Sequence, residues 1–328
     1  MCAGLVDAGW DVHVSTVPGA WPDPGPAARA GLARIVSAIP GRESVLIDGL
    51  IASPAAEQLL PHVRRIPMTV LLHMPLATAP GTDQDPHVLR SERAVLRAAA
   101  AVATTSDWTR RQVLARYAVP ARQVHLAQPG TDRVAAPPRP VPGRLLCVGV
   151  LSRHKGQDLL VEALAGLADR DWHCVLAGSP DRDPGFTSQL QDRIARLGYG
   201  HRVRLAGILT GTALSRAYTT ADLLIAPSRT ETYGMTVTEA LAHGLPVLAA
   251  AAGGLPEALG FTPDGTRPGQ LVPPGDPAAL TTALAHWLDD DHHRHQLRAA
   301  TRQRRSTLHG WDHTTQQIAN ALTTHRLP

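Results

Sequence analysis

The feature that most constrains this chain is a repeated alternation. Short runs of apolar, β-prone residues, roughly four to seven long with little polar interruption, are separated by stretches of helical periodicity. Runs of that length without alternation read as strands covered on both faces, which occurs in parallel sheets flanked by helices. In the first half, Asp11 to Val17, Ser44 to Ile47, Met68 to His73, Ala101 to Thr104 and Gln123 to Ala127 read as strands, with helices near 27–38, 54–64, 88–99 and 108–117. In the second half the strands are Arg144 to Val150, Trp172 to Ala177, Val203 to Ala206, Leu223 to Ala226 and Pro246 to Ala250. Their helices fall at Gly156 to Leu167 and near 186–197, 212–219, 235–243 and 277–289, and a last helix runs from Trp311 to Thr324. Between the halves, Val134 to Gly143 (VAAPPRPVPG) holds four prolines in ten residues, a stiff polyproline-like connector. The expectation is an α/β protein of two doubly wound domains, 1–136 and 140–308, with the C-terminal helix of 311–328 packing back on the first. Such domains place ligands at the carboxyl ends of their strands, in a cleft between the two.

Length and composition agree with this. At roughly 150 residues per domain, 328 residues make two. Hydrophobic residues at 44% and charged residues at 18% support sizeable cores. No run approaches the ~20 apolar residues of a membrane helix. Met1 to Val17 carries Asp7 and Asp11 and no basic leader. Three scattered cysteines (Cys2, Cys147, Cys174) make neither a disulfide frame nor a zinc site. The expected setting is cytoplasmic. A net charge of +4 with neither half strongly basic, and aromatics at 4%, argue against nucleic acid as a partner. One count stands out: of 32 basic residues, Lys155 is the single lysine and the rest are arginine.

Two segments carry chemistry. The first is Ala221 to Leu259, ADLLIAPSRTETYGMTVTEALAHGLPVLAAAAGGLPEAL. A strand ends at Pro227, a loop holds Glu231 and Tyr233-Gly234, and a helix runs from Met235 to Gly244. The free N–H groups of Gly234, Met235 and Thr236 form an anion site at the helix start. Glu231 and Glu239 flank it, and with Glu257 they make three of the chain's seven Glu. Carboxylates accept paired hydrogen bonds from vicinal hydroxyls, so this reads as a socket for a nucleotide-sugar; the plainer reading is a solvated loop Glu and a surface helix Glu. The second segment is Arg144 to Leu160, RLLCVGVLSRHKGQDLL, a strand ending at Gly149 and a turn with Arg153 and Lys155 before a helix opens at Gly156. Two cations at a strand's carboxyl end suit a diphosphate.

Together these segments resemble the donor-binding half of retaining glycosyltransferases of the GT-B fold, family 4, with the similarity extending over roughly Cys2 to Leu322. The resemblance rests on Glu231 and Glu239 with seven residues between them, on PSRTETYGMTVTEALAHGLPVLA, on Ala252-Gly253-Gly254 and on the Lys155-Gly156 turn. It implies two Rossmann-like domains, the first on the acceptor side and the second binding the donor. It implies that Glu231 contacts donor-sugar hydroxyls, that Glu239 takes the ribose hydroxyls, and that Gly234, Met235 and Thr236 give backbone contacts. Arg153 and Lys155 would hold the diphosphate, and His73, ending the strand MTVLLH, would lie near the sugar. The implied reaction moves a sugar from a UDP- or GDP-sugar to an acceptor hydroxyl (of a sugar, a lipid-linked or a small molecule) with retention, without metal or further cofactor. Charge on the leaving diphosphate would be stabilised by Lys155, Arg153 and the helix start.

Two departures are visible. Gly149 is followed by Val150 where the family has Arg, so the Arg role is assigned to Arg153. Set against the resemblance, MCAGLVDAGW reads as the first helix, so the expectation is that the family's first strand and glycine loop are missing, either because the natural protein is longer or because this chain lacks part of its cleft. The alternative expectation is therefore a truncated, catalytically impaired nucleotide-sugar-binding protein or partner subunit. Other features take plainer readings. Ser106 and Asp107 cap a helix. Gln128 to Asp132 forms a structural turn before the linker. Asp181-Arg182-Asp183 reads as a surface turn rather than a metal site. Asp289-Asp290-Asp291 with His292, His293 and His295 reads as a solvated run. Arg294, Arg298, Arg302, Arg304 and Arg305 form a basic helical stripe, read first as a solvated face and second as peripheral contact with the inner face of a membrane. A G-x-G-x-x-G dinucleotide motif is absent.

Overall fold

The structure is a computed structural model that describes residues 1–41, 43–76, 86–135 and 139–324. The chain forms two compact units: Met1–Gly130 with the stretch from His309 onward, and Thr131–Leu308.

The first unit runs α1 (Cys2–Asp7), α2 (Pro26–Ala38), β1 (Val45–Asp48), α3 (Gly49–Ala52), α4 (Ala56–Leu59), β2 (Met68–Leu72), α5 (Pro86–Ala98), β3 (Ala101–Thr104), α6 (Asp107–Tyr117) and β4 (Val124–Leu126). The second runs β5 (Arg144–Val148), α7 (Gln157–Ala165), β6 (His173–Ala177), α8 (Pro184–Arg196), β7 (Val203–Gly207), α9 (Gly211–Thr220), β8 (Leu223–Ala226), α10 (Met235–Ala242), β9 (Val247–Ala250), α11 (Leu255–Leu259), β10 (Gly269–Val272), α12 (Pro277–Asp289) and α13 (Asp291–Arg305). The final helix, α14 (Trp311–Thr323), belongs to the first unit.

The first unit holds a parallel sheet of order β1-β2-β3-β4. Strands β2 and β3 are buried at every position, the signature of a central parallel strand read from their apolar runs. Helix α14 seats Ile318 and Leu322 in a core with Leu5, Leu71 and Ala103. Its Thr314 hydroxyl donates to the carbonyl of Gln128 at 2.7 Å, and Gln317 accepts from the Gln128 N–H at 3.1 Å. Ser106 is the N-cap of α6, its hydroxyl accepting from the Thr109 N–H, while Asp107 pairs with Arg110 and Arg111.

Two expectations fail in this unit. Residues 11–17 form no strand. β1 is the edge of the sheet and pairs with β2 alone, so residues 11–17 join no ladder among the described residues, and Val14 stays 74% exposed. The helix expected over 54–64 breaks into α4 and a 3-10 turn at Leu60–His62, preceded by α3. Pro61 removes a backbone donor that one continuous helix would need.

The second unit has a six-stranded parallel sheet of order β10-β9-β8-β5-β6-β7. One core layer gathers Leu145, Leu160, Leu164, Trp172, Leu176, Leu284 and Trp287, the other Leu146, Leu224, Val237, Leu241, Val247 and Leu259. Each such side chain, moved from water to the interior, contributes roughly 1.5–3 kcal/mol. Because β5 neighbours both β6 and β8, the chain order reverses direction between β5 and β8. That is the topological switch point of the sheet, where the loops leaving two adjacent strands diverge to opposite faces.

Strand β10 was not expected. Its four residues include Gly269 and Gln270, and it exists because it pairs with β9 in parallel register. The α13 stripe is not the freely solvated face that was one reading of it. Arg298 pairs with Asp222 at 2.5 Å, and Arg294 binds Asp291 and the carbonyls of Trp287 and Leu288. Arg304 donates to Thr307, and Arg305 to the carbonyl of Val134. Among these five, Arg302 is exposed without such a bond. Asp183 and Asp290 are N-caps of α8 and α13, and among the described residues no three His, Cys, Asp or Glu side chains converge as a metal site. No described helix is long and apolar enough to cross a membrane.

Candidate functional site at the switch point

The loops that leave β5 and β8 meet at the switch point, and the two chemistry-bearing segments lie on them. Lys155 Nζ lies 2.5 Å from Glu231 Oε2, joining residues 76 apart in sequence. Their side chains are only 22% and 16% exposed, so the pair is largely shielded from solvent. The other Glu231 oxygen, Oε1, accepts from the Thr232 N–H at 3.2 Å.

Backbone contacts fix this pairing. The Lys155 turn sits on the end of β8: a Cβ at Gly156, which has φ of +75°, would lie 2.2 Å from the carbonyl oxygen of Pro227. The Glu231 loop rests in turn on Ala252-Gly253-Gly254. A Cβ at Gly253, φ +55°, would lie 1.8 Å from the Glu231 carbonyl oxygen, and the Gly254 N–H donates to that oxygen at 2.9 Å. These glycines are needed for close backbone approach as much as for their left-handed conformation.

Helix α10 opens directly after this loop, with Gly234 as its N-cap. The N–H groups of Gly234, Met235 and Thr236 donate to no group among the described residues; the first intrahelical bonds run from Val237 and Thr238 to the Gly234 carbonyl. The helix start therefore presents free donors and a partial positive charge beside the Lys155–Glu231 pair's loop. Tyr233 is buried, and burial together with the charge of Glu257 pushes its phenol up to about 12. Glu257 itself lies in the first turn of α11. Glu239, one turn into α10, is half-buried and accepts from the Tyr218 hydroxyl at 2.7 Å.

Two other expected residues take no side-chain part in these contacts. Arg153 is exposed, and its side chain makes no hydrogen bond or ion pair among the described residues. Val150 supplies only a carbonyl, which accepts from Gln157 at 2.9 Å. His73 belongs to the first unit, at the end of β2. It is exposed, with Nε2 3.7 Å from the Asp48 carboxylate at the end of β1.

Three supporting residues escaped sequence reading. Arg229 grips Asp158 with a two-pronged pair at 2.7 and 2.8 Å and also donates to the Arg153 carbonyl at 2.7 Å. Its own N–H donates to the carbonyl of His154. Donating to the Asp158 carboxylate raises the guanidinium's pKa above its ordinary value. Arg229 thus ties the Lys155 turn to the Glu231 loop. Gln157, 1% exposed, pins the same turn through Val150. Nothing in spacing marks such a residue among so many arginines. The third is the buried Glu92 of the first unit, which accepts from Ser53 Oγ and the Leu76 N–H, both at 2.8 Å, and from the Tyr117 hydroxyl, holding the chain just after His73. Two cavities of the second unit, about 690 and 480 Å³, lie elsewhere, around Arg144, Val175 and Arg204, and are lined by none of the site residues above.

Comparison with known proteins gives the family and the fold. Residues 132–304 match the family Glycosyl transferases group 1. A D-inositol 3-phosphate glycosyltransferase of Jonesia denitrificans is 32% identical over 259 residues, covering 72% of this chain and 60% of that protein. One from Corynebacterium diphtheriae is 34% identical over 191 residues, covering 55% and 44%. The chain thus spans less than two thirds of the length of these relatives. Among solved structures, the sucrose-phosphate synthase of Thermosynechococcus elongatus superposes with a TM-score of 0.75 at 24% identity, covering 97% of this chain and 90% of that one. Anabaena HepE, in complex with UDP and glucose, gives 0.73 at 20% identity, covering 90% and 81%. Both of this chain's parallel-sheet units are those of the GT-B fold. With the matched segment spanning more than half of its residues, the chain belongs to the group 1 glycosyl transferases.

Proposed function

We propose that this chain is a retaining, family 4 glycosyltransferase that moves a sugar from a nucleoside diphosphate sugar to an acceptor hydroxyl without a metal ion. The observation that carries the reading is the 2.5 Å approach of Lys155 to Glu231 at the switch point, beside the unoccupied N–H groups that open α10. An ammonium and a helix start are suited to the two phosphates of a donor. Carboxylates on either side, Glu231 and Glu239, are suited to its sugar and ribose hydroxyls. In the reaction the bond between the anomeric carbon and the diphosphate oxygen breaks, and negative charge grows on that oxygen. Lys155 and the free N–H groups offset it where they stand, and the exposed Arg153 adds to them by swinging in. The departing phosphate takes the acceptor proton. Donor binding then belongs to the second unit, and the acceptor side, with His73, to the first.

The relatives named for D-inositol 3-phosphate make a phosphorylated polyol the first acceptor to assay. The full chain is incubated with UDP- and GDP-sugars and D-inositol 3-phosphate, with and without EDTA. Nucleoside diphosphate release is followed, and the new anomeric proton is read by NMR. An axial product from an axial donor, unaffected by EDTA, is expected. Inversion, or activity abolished by EDTA, refutes the mechanism; donor binding without transfer to any acceptor refutes the transferase reading for this chain.

A further inference from the structure

Glu239 does not stand alone on α10. The Tyr218 hydroxyl, from α9, donates to Glu239 Oε2 at 2.7 Å. Tyr218 is 1% exposed, and burial holds its phenol far above its ordinary pKa, so it stays a donor. A second residue braces the pair. His243 stacks on Tyr218, ring centroids 4.9 Å apart and planes 25° apart. Its Nδ1 lies 2.8 Å from the Glu239 carbonyl, and its Nε2 lies 3.1 Å from Ser215 Oγ on α9. A carbonyl only accepts, so Nδ1 carries the proton. Burial lowers the His243 pKa, and in the neutral ring Nε2 then accepts from Ser215. The bracket Ser215–His243–Tyr218–Glu239 is closed, with every hydrogen placed by its partner.

One atom is left over. Glu239 Oε1 accepts no hydrogen bond among the described residues, although the side chain is half-buried. A carboxylate with one oxygen locked and the other open is a preorganised acceptor, because its rotamer freedom is lost before a ligand arrives.

We infer that Tyr218 is a positioning residue that fixes Glu239 with Oε1 presented to a hydroxyl of the donor's ribose. The inference rests on the nucleotide-sugar reading of the site and deepens it. Tyr218 touches no substrate; it acts through Glu239. Without its hydroxyl, Glu239 swings among rotamers and selectivity for the ribose hydroxyl falls, while contacts to base and phosphate persist.

The test compares Y218F with the unmodified chain for binding of UDP, 2′-deoxy-UDP, GDP and 2′-deoxy-GDP by calorimetry, alongside thermal melting. The unmodified chain is expected to favour the ribo form of its preferred base by about tenfold or more, as for a hydrogen bond to a charged group. In Y218F that ratio falls to about twofold, with the deoxy affinity unchanged. S215A, which loosens the bracket without touching Glu239, should lower the ratio less; it supplies the answer if Y218F does not fold. A full ribo preference retained in these variants overturns the role of Tyr218 and leaves Glu239's intact. No ribo preference in the unmodified chain overturns the assignment of Glu239 and the inference with it.

Discussion

Replacing Gly253 by alanine probes the site without touching a charged group. The new Cβ would lie 1.8 Å from the Glu231 carbonyl oxygen and 2.9 Å from its carbonyl carbon, where real Cβ atoms approach no closer than 3.0 Å. The obstacle is backbone, so no side chain can rotate aside. The Glu231 loop must retreat by about 1.2 Å or more. That retreat breaks the 2.9 Å bond from the Gly254 N–H and carries Glu231 away from Lys155, now 2.5 Å distant. A left-handed backbone for a non-glycine residue costs about 1 kcal/mol, and the lost hydrogen bond about 1 kcal/mol more. With strain from the displaced loop, the total is roughly 3–4 kcal/mol, which lowers the melting temperature of a domain of this size by about 6–15 °C. A catalytic group displaced by an ångström costs about a hundredfold in rate. Differential scanning calorimetry and steady-state kinetics with saturating acceptor read the two effects. An alanine variant with unchanged melting temperature and donor kcat/KM would falsify the claim that Gly253 seats the Glu231 loop.

Further outcomes follow from the same geometry. K155A removes a charge-assisted hydrogen bond from a shielded pair, so donor affinity should fall about 10- to 100-fold. K155R should recover only a few-fold of that, because a planar fork does not occupy the space of an ammonium; full rescue in a donor titration contradicts the role of Lys155 as a point charge. Acid sensitivity comes from His243 and His154, whose pKa values burial lowers below the ordinary 6.5. In that case the unfolded chain binds protons first, so stability is complete above about pH 6.5, declines as pH falls toward the folded-state pKa values, and then levels off. Melts from pH 5 to 8 should show this loss, and H243Q should lessen it; melting temperatures that rise on acidification refute the sign. E92A leaves the Ser53 hydroxyl, the Leu76 N–H and the Tyr117 hydroxyl without this shared acceptor in the interior, at a cost of about 3–5 kcal/mol. The first unit should melt earlier while nucleoside diphosphate affinity, a property assigned to the second unit, stays put. A matching loss of affinity overturns that division of labour.

The sequence carried the strands best where burial is two-sided. Ala101–Thr104 and Leu223–Ala226 coincide with the runs read from the chain because a continuous apolar segment admits few alternatives inside a sheet. It carried the site motifs for a related reason. Gly156, Gly253 and Gly254 meet backbone so closely that only glycine fits, and such requirements stay visible as letters. What the sequence could not carry was everything decided by a neighbour. Residues 11–17 have strand composition yet form none, since a strand needs a ladder and they join none in the sheet that β1 ends. Residues 269–272 have poor strand composition yet form β10, since β9 supplies one. The arginines of α13 look like a solvated stripe until Asp222 and the carbonyls of Trp287, Leu288 and Val134 are brought to them. Likewise, spacing says that Glu231 and Glu239 share a segment, but only the order β8-β5-β6 sets the Lys155 turn against Glu231. Local composition fixes which residues can build a phosphate-binding turn; which turns face one another is a property of strand order, and strand order is settled by packing over the whole sheet.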